Sequence, residues 1–554
     1  MNNTTYMGLE IAMRGLYSSQ RGMANVAHNI DNTNTPGYSR QVINQTSARP
    51  LLVANSAGML GMGSDVVSVD RVRDIYLDEK YWSEAQYLGE WSVKSTIIED
   101  MQTIYNEPSN NGYTKIINDF YSALQTLTTD PSSLSTRAMV KEKGVAVANY
   151  FNNVATHFDY LQEDYNNMVN AKVEEVNNLA DQIRDLNLQI YHFEVMGNKA
   201  NDLRDRRGYL VDKLSKIVNV SAYETETGLK LPNGEKETRF VVTISGKALV
   251  DHEQSVHLKC ESRETKLNEE DIENLYEVSW ADGNKLQLKS GELKAYLDMR
   301  DGNDGEPGSD GKSTPNCKGI PYYQRKMNEF VRTFAMSFNE GIMDTDGDGM
   351  LNKSEGHVDG YTLTGTTPSG IRFFSMVNEY GEYMSSADFE AQALSYAASK
   401  GISDDPTTAW DERLVAGYQK ITARNFSISF DIEDDPSENI SASSAPGEAG
   451  NNENVNKLLQ MRHNTYMFME GAPEDFIKTV ISSMGVDGQQ YNQYLDVQEG
   501  ITYQIENRRQ SISGVSLNEE MTNLVKYQQI YGASATMIQT FSEVLDILVN
   551  RLGI

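Results

Sequence analysis

Asp344, Asp346 and Asp348 alternate at the start of Asp344-Thr-Asp-Gly-Asp-Gly-Met-Leu-Asn-Lys-Ser-Glu355. That spacing fits a calcium loop position by position. Three short carboxylates offer hard oxygen ligands to a dication, and Gly349 permits the sharp turn between them. Met350 would offer its backbone carbonyl, and Asn352 would act through water. Glu355 would close the site with both carboxylate oxygens. A helix is expected to end near Ile342, ahead of the loop. Gly356-His-Val-Asp-Gly360 follows it, so the exiting helix of a paired EF-hand is missing. The expected affinity is in the weak extracellular range, ~10⁻⁴–10⁻³ M, and the role would be to stiffen the surrounding region. A solvated acidic turn is the plainer reading of the same residues.

Other chemistry is poorly represented. Gly305 through Gly311-Lys312-Ser313 approaches a phosphate-binding loop but carries one residue too many, and Pro315 and Pro321 forbid the helix it needs. The 7 His residues are scattered, with no His-Glu-x-x-His and no serine nucleophile elbow. Cys260 and Cys317 stand alone, without zinc spacing or a disulfide framework. The expectation is a chain that is not an enzyme, with calcium as the one cofactor to consider.

Composition narrows the partners. The 554 residues carry 49 Lys and Arg against 79 Asp and Glu, a net charge of −30. Phosphate backbones and anionic membrane surfaces both require clustered cations, so neither is an expected partner. No run of about 18 apolar residues exists to span a membrane. Met1-Asn-Asn-Thr-Thr-Tyr6 carries neither a basic region nor an apolar stretch, so no cleaved leader is expected. The 30 Tyr suit wet interfaces, although core packing is the expected use for most.

The elements that must position these residues begin and end with heptads. Leu9, Ala12, Leu16, Ser19, Met23, Val26 and Ile30 recur at steps of three and four. Leu517, Met521, Leu524, Tyr531, Ile538, Leu545 and Leu552 do the same, with Gln528 as the polar exception. Each set predicts an apolar seam on a coiled-coil helix. Helices are predicted over 4–31, 74–105, 131–196, 199–217, 322–342 and 451–509, with Asp130-Pro131 opening the third. Residues 40–73 read as a hairpin. Strands are predicted at Phe240–Ile244, Leu275–Trp280, Leu286–Leu288 and Phe426–Phe430. Ser516-Leu-Asn-Glu519 reads as a capping box for the last helix.

The fold class is multidomain and mainly α, with β-rich insertions. The terminal helices pair as a coiled coil, a helical bundle follows, and β or mixed domains project from it. The expected divisions are 1–73 with 515–554, a helical domain of 74–217 with 291–342 and 451–514, a β-rich insertion at 218–290, and a variable outer domain at 343–450.

Ala27-His-Asn-Ile-Asp-Asn-Thr-Asn-Thr-Pro-Gly-Tyr-Ser-Arg-Gln41 resembles the N-terminal signature of the bacterial flagellar axial family, which includes rod, hook and hook-associated proteins. Ser511-Ile-Ser-Gly-Val-Ser-Leu-Asn-Glu-Glu-Met521 and Tyr527–Thr536 resemble its C-terminal signature. Ala200-Asn-Asp-Leu-Arg-Asp-Arg-Arg-Gly-Tyr-Leu210, Gly291–Arg300 and Asn451–Leu459 are similar to the members at the hook–filament junction.

The resemblance implies a structural protein that forms a ring between hook and filament. Its terminal helices would pack in the inner tube around the export channel, and the flagellar type III route would carry it out of the cell. Implied partners are other copies of the chain, the hook protein, the second hook-associated junction protein and an export chaperone. The expected assembly residues are Asn29, Asn32, Asn34, Thr35, Pro36, Gly37 and Tyr38 at the first turn. Gly514, Val515, Leu517, Glu519 and Glu520 are their expected counterparts at the last. Pro36 fixes φ, Gly37 permits positive φ, and the Asn side chains can bridge backbone groups. Two alternatives stay open: another axial protein of hook or rod, and a calcium-dependent extracellular binding module on an axial scaffold.

Overall fold

The computed structural model describes residues 4–52, 59–105, 112–230, 236–309, 311–345, 351–404 and 411–550. Helix α1 (Thr4–Asp31) contains no proline and runs until Asn32 turns its amide back to the His28 carbonyl, at 3.0 Å. Strands β1 (Gln41–Ser47) and β4 (Ser64–Arg71) form an antiparallel hairpin, with β2 (Leu51–Leu52) and β3 (Met59–Leu60) paired nearer its tip. Four helices follow: α2 (Ile75–Tyr105), α3 (Tyr113–Thr129), α4 (Leu134–Val195) and α5 (Asn201–Ile217).

At 62 residues, α4 is about 93 Å long. It runs through two cores. Its first half buries Val140, Val147, Phe151, Val154 and Phe158 in one. Its second half buries Val169, Val173, Val176, Ala180 and Ile183 in the other. The steps of three, four and seven keep a single face inward over many turns.

The second core is closed by α5 and a four-stranded antiparallel sheet. That sheet comprises β5 (Val220–Lys230), β6 (Lys236–Ile244), β7 (Lys247–Asp251) and β8 (Gln254–Ser255) in sequential order. The pair β9 (Leu258–Ser262) and β10 (Tyr276–Trp280) completes it. Between the cores α4 carries buried polar groups. Gln162 donates to Asp271 at 2.9 Å, and Arg300 donates to Asn166 at 2.8 Å. Arg300 also donates to Asp301 through both Nε and Nη2.

The first core gathers α6 (Glu292–Asp301) and α7 (Ile320–Glu340). Beyond β11 (Met343–Thr345) and β12 (Leu351–Lys353) comes β13 (Phe374–Met376), then α8 (Ser386–Lys400) and α9 (Glu412–Tyr418). Strand β14 (Phe426–Ile428) pairs with β13, followed by α10 (Phe430–Asp434), α11 (Pro436–Asn439) and α12 (Glu453–Gln460). Then α13 (Pro473–Ser513) lies along α2, and α14 (Leu517–Asn550) lies along α1.

The molecule is mainly helical with several small sheets, as its patterning predicts. Particular elements differ. Asp130 caps the end of α3 rather than opening a helix, and Ser133 stands at the N-cap of α4. Pro131 sits in the intervening turn. Leu286–Leu288 is not a strand, yet Leu286 and Leu288 still pack on the second core. β14 stops at Ile428 because the Ser429 hydroxyl accepts the Asp431 N–H and starts a helix. Helix over 451–509 is interrupted at 464–472 and then extends to Ser513.

The division at 342/343 does not separate two cores. Phe373, Phe374 and Phe426 pack with Phe120, Phe151, Phe330, Phe334 and Phe338. Their centroids lie 4.8 Å (Phe373–Phe374) to 6.1 Å (Phe151–Phe426) apart, within the range for favourable ring contacts.

His357 fastens this region internally. Its Nδ1–H donates to the Ile371 carbonyl at 2.7 Å, and Nε2 accepts the Ser441 N–H at 3.0 Å. Burial depresses its pKa from 6.5 to about 4, and nearby Arg137 acts in the same direction. The neutral ring is thus the folded form. Stability from it is full above pH 6.5 and is lost as pH falls toward 4, by roughly 3 kcal/mol in all. His357→Gln removes this dependence. Urea midpoints of the two proteins at a series of pH values are expected to converge on acidification. Parallel curves would refute the assignment.

Candidate functional site

The two ends of the chain meet at one corner of the helical body. Asn29, fully buried on the last turn of α1, fixes the outgoing strand. Its Oδ1 accepts the Gln41 N–H at 3.0 Å and the Tyr38 hydroxyl at 2.8 Å, and its Nδ2 donates to the Gln41 carbonyl at 2.9 Å. An amide is needed here because it pairs with both backbone groups of one residue. Gly37 has φ +78°, and a Cβ there would lie 2.8 Å from Cβ of Tyr209, so glycine is required twice over. Thr35 donates to Asn32 at 3.1 Å. Asn34, Thr35 and Pro36 are exposed.

Helix α5 receives this turn. Asp205, buried, accepts the Ser39 N–H at 2.8 Å, the Ser39 hydroxyl at 2.9 Å and Arg71 at 2.9 Å. Asp202 accepts the Gln41 amide at 2.6 Å, and Asn201 donates to the Val69 carbonyl at 2.8 Å. One face of one helix thus holds the end of α1 and both strands of the hairpin. Nearby, Arg207 is buried over the Phe240 ring at 3.8 Å and pairs with Glu224, which fixes α5 to the sheet.

A second set of charges reaches the C-terminal side. Arg73 forks onto Asp78 at 2.6 and 3.1 Å. Arg509 of α13 contacts the same Asp78 at 3.1 Å and Asp212 of α5 at 2.8 Å, while Trp82 donates to Asp212 at 2.6 Å. Burial pushes the Asp212 carboxyl up even against the pull of Arg509. The Arg40 N–H donates to the Ser513 carbonyl at 2.8 Å, and its guanidinium pairs with Glu519 at 2.7 Å. Glu519, the expected closing residue of the capping box, therefore ties the hinge to the N-terminal segment. Glu520 is buried against Asn29, and burial raises its carboxyl pKa. At Gly514 any Cβ would lie 2.3 Å from the Gln510 carbonyl oxygen, and Val515 beside it is half-buried.

Beyond the corner, α1 and α14 run antiparallel. Gly8 faces Phe541, Gly15 faces Ser534 and Gly22 faces Tyr527, each one heptad from the next. A Cβ on Gly8 would sit 2.1 Å from the Phe541 ring, and one on Gly22 would sit 2.6 Å from the Tyr527 ring. The helices pair as a coiled coil, and Ala12, Ser19 and Val26 of the expected seam are buried, but its larger residues are not. Small residues on α1 take large ones from α14, so Leu9, Leu16 and Met23 are only half-buried. Leu517 and Met521, expected in the seam, are 49% and 56% exposed.

The acidic segment lies elsewhere. Asp344 and Asn352 are paired across the β11–β12 hairpin. Glu355 is exposed and forms an ion pair with Lys457. Asp346, Asp348, Gly349 and Met350 lie outside the described residues. The flanking elements are strands, without the exiting helix of an EF-hand.

The terminal residues Asn29, Asn32, Gly37, Tyr38, Gly514, Glu519 and Glu520 are thus brought to one place. Asp202, Asp205, Arg71, Arg73, Asp78, Asp212 and Arg509, which complete it, were not singled out in the sequence. The signal for two of them stood inside Ala200–Leu210, whose alternating Asp and Arg residues form the receiving face.

A helix pair made from both chain ends and latched to a helical body agrees with the paired terminal helices that the sequence patterning predicts. Residues 98–350 match the family model described as the helical domain of flagellar hook-associated protein FlgK. Residues 507–552 match the C-terminal model of the flagellar basal body rod FlgEFG proteins. The chain is 28% identical to flagellar hook-associated protein 1 of Bacillus subtilis, across 100% of this chain and 99% of that protein. It is 24% identical to the Escherichia coli protein of that name, across 97% of this chain and 98% of that one. The solved structure of the flagellar hook junction protein FlgK from Burkholderia pseudomallei shares the fold. Its TM-score is 0.54 at 12% identity, covering 78% of this chain and 100% of that one. Over its whole length the chain is thus similar to flagellar hook-associated protein 1, and its fold is that of the hook junction protein FlgK.

The Asp205 carboxylate faces two guanidinium groups, that of the partly exposed Arg71 at 2.9 Å and that of the buried Arg73 side chain at 3.5 Å. Asp205→Asn leaves Arg71 without its carboxylate while Arg73 keeps Asp78, a local cost of about 1–3 kcal/mol. Hydrogen exchange is expected to rise across 39–73 while α7 keeps its protection. Unchanged exchange in the hairpin would contradict the latch.

Proposed function

We propose that this chain is a structural component of the flagellum that joins hook to filament and offers the platform on which the filament grows. One observation carries the reading. The antiparallel pair of α1 and α14 buries small residues between its helices and leaves large ones outside. Tyr17, Val525, Met537, Val544 and Ile547 are all exposed, beside Leu517 and Met521. An extended apolar face of this kind is covered in use by another protein surface. A ring of copies, with axial neighbours above and below, would cover it.

The partners in this reading are other copies of the chain, the hook protein, the second hook-associated junction protein and an export chaperone. The role is architectural and involves no catalysis. Export by the flagellar route goes with this reading. Deleting the gene from its flagellated host is expected to give bare hooks with filament protein lost to the medium, reversed by the intact gene. Normal filaments in the deletion strain would overturn the reading.

Calcium binding at 344–355 is a separate proposal. Its support is the Asp-x-Asp-x-Asp-Gly pattern together with the pairing of Asp344 and Asn352, which holds the two ends of the loop together. Titration calorimetry is expected to give one site with a dissociation constant of ~10⁻⁴–10⁻³ M, lost in Asp348→Asn. No heat at millimolar calcium would exclude it.

A further inference from the structure

A cleft of about 820 Å³ opens at the outer side of the terminal junction, between residues 33–38, α5 and the hinge at 511–516. Its walls carry Arg40, Lys213, Lys216 and Arg509. Three carboxylates lining the cleft are already engaged, Glu519 by Arg40, and Asp212 and Glu506 by Arg509, while Asp496 and Glu499 stand on the adjoining shelf beside Lys216. Lys213 and Lys216 have no carboxylate partner among the described residues, and the Lys213 ammonium rests over the Tyr209 ring at 4.8 Å. The buried Nε of Arg40 donates to no described group.

The cleft continues onto a shelf of about 540 Å³ between α2 and α13, with Tyr81, Lys216 and Glu506 lining both. Leu88 and Tyr503 give that shelf an apolar and aromatic floor. Thr502 lines it too, 6% exposed, with its hydroxyl lacking a described partner. Tyrosine, arginine and unengaged donors on one continuous surface are the make-up of a protein interface rather than of an ion site.

We propose that this surface receives an acidic segment of a second copy of the chain; the inference rests on the ring-forming role above. Copies with a net charge of −30 repel one another at long range, so their contacts need local cations. The cleft supplies unpaired cations at the hinge from which the exposed apolar faces of α1 and α14 begin. An incoming copy that covered those faces would meet Lys213 and Lys216 at their base.

Sedimentation velocity over a series of protein and salt concentrations tests this, on the full chain. The native chain is expected to self-associate, less strongly as salt rises. Lys213→Glu with Lys216→Glu is expected to weaken association at least 10-fold at low salt. A control pair with the same charge change on the β-rich region, Lys285→Glu with Lys289→Glu, is expected to leave it within 2-fold. Lys213→Gln with Lys216→Gln, read beside circular dichroism, guards against misfolding. Equal association by native and cleft variants would overturn the proposal. Filament growth in a deletion strain is scored separately. A native chain that restores filaments yet stays monomeric overturns the cleft alone, and one that restores none overturns the junction role itself.

Discussion

Almost everything at the terminal junction depends on three carboxylates, the buried Asp78 and Asp205 and the partly buried Asp212, facing Arg71, Arg73 and Arg509. Charges taken out of water are costly unless each finds its opposite with good geometry. Here the numbers match, three against three, and each guanidinium reaches a carboxylate within 3.1 Å. The groups come from β4, the start of α2, α5 and the end of α13. No one of these segments can leave without stranding a partner. The arrangement is specific rather than merely adhesive, since an apolar patch would tolerate sliding and a matched set of forks does not.

This accounts for how a chain can keep its two ends together across 554 residues. Between them lies a body with two cores strung along α4, and no described residue of α1 belongs to either. The ends are joined to that body through polar contacts at one corner and to each other through the heptad of glycines. Rigidity at the corner then sets the direction in which the helix pair leaves the body. A small change of angle there would be magnified along α14, which is 34 residues long, or about 50 Å.

Local signals in the sequence were read well where the cause is local. The turn at Asn32–Gly37, the hairpin after it and the stop at Ser513-Gly514 follow from residue types that break helices or permit positive φ. The bounds of α2 and the end of α4 follow from periodicity. What was not legible depended on distance. Asp205 and Arg71 are ordinary surface residue types, and nothing in spacing shows that they meet. Phe426-Ser-Ile-Ser-Phe430 reads as an alternating strand, but all of 426–428 is buried and Ser429 is used as a cap. Residues 343–450 look polar and loop-like in composition, yet Phe373, Phe374 and Phe426 bind them into the main core.

The glycine seam shows most clearly why pattern and packing can part. A heptad of Leu, Met and Ile on α1 predicts the buried stripe, since large apolar residues gain most from leaving water. The structure buries the smaller heptad members Ala12, Ser19 and Val26 and leaves Leu9, Leu16 and Met23 half-buried, because Phe541 and Tyr527 from α14 fill the spaces beside Gly8 and Gly22. Both stripes are real. The glycines and the small heptad residues close the pair within the chain, and the large heptad residues stay partly exposed. A sequence that served only a folded monomer would have no reason to carry the second. That exposed apolar surface lies on the same two helices that the polar junction holds in position.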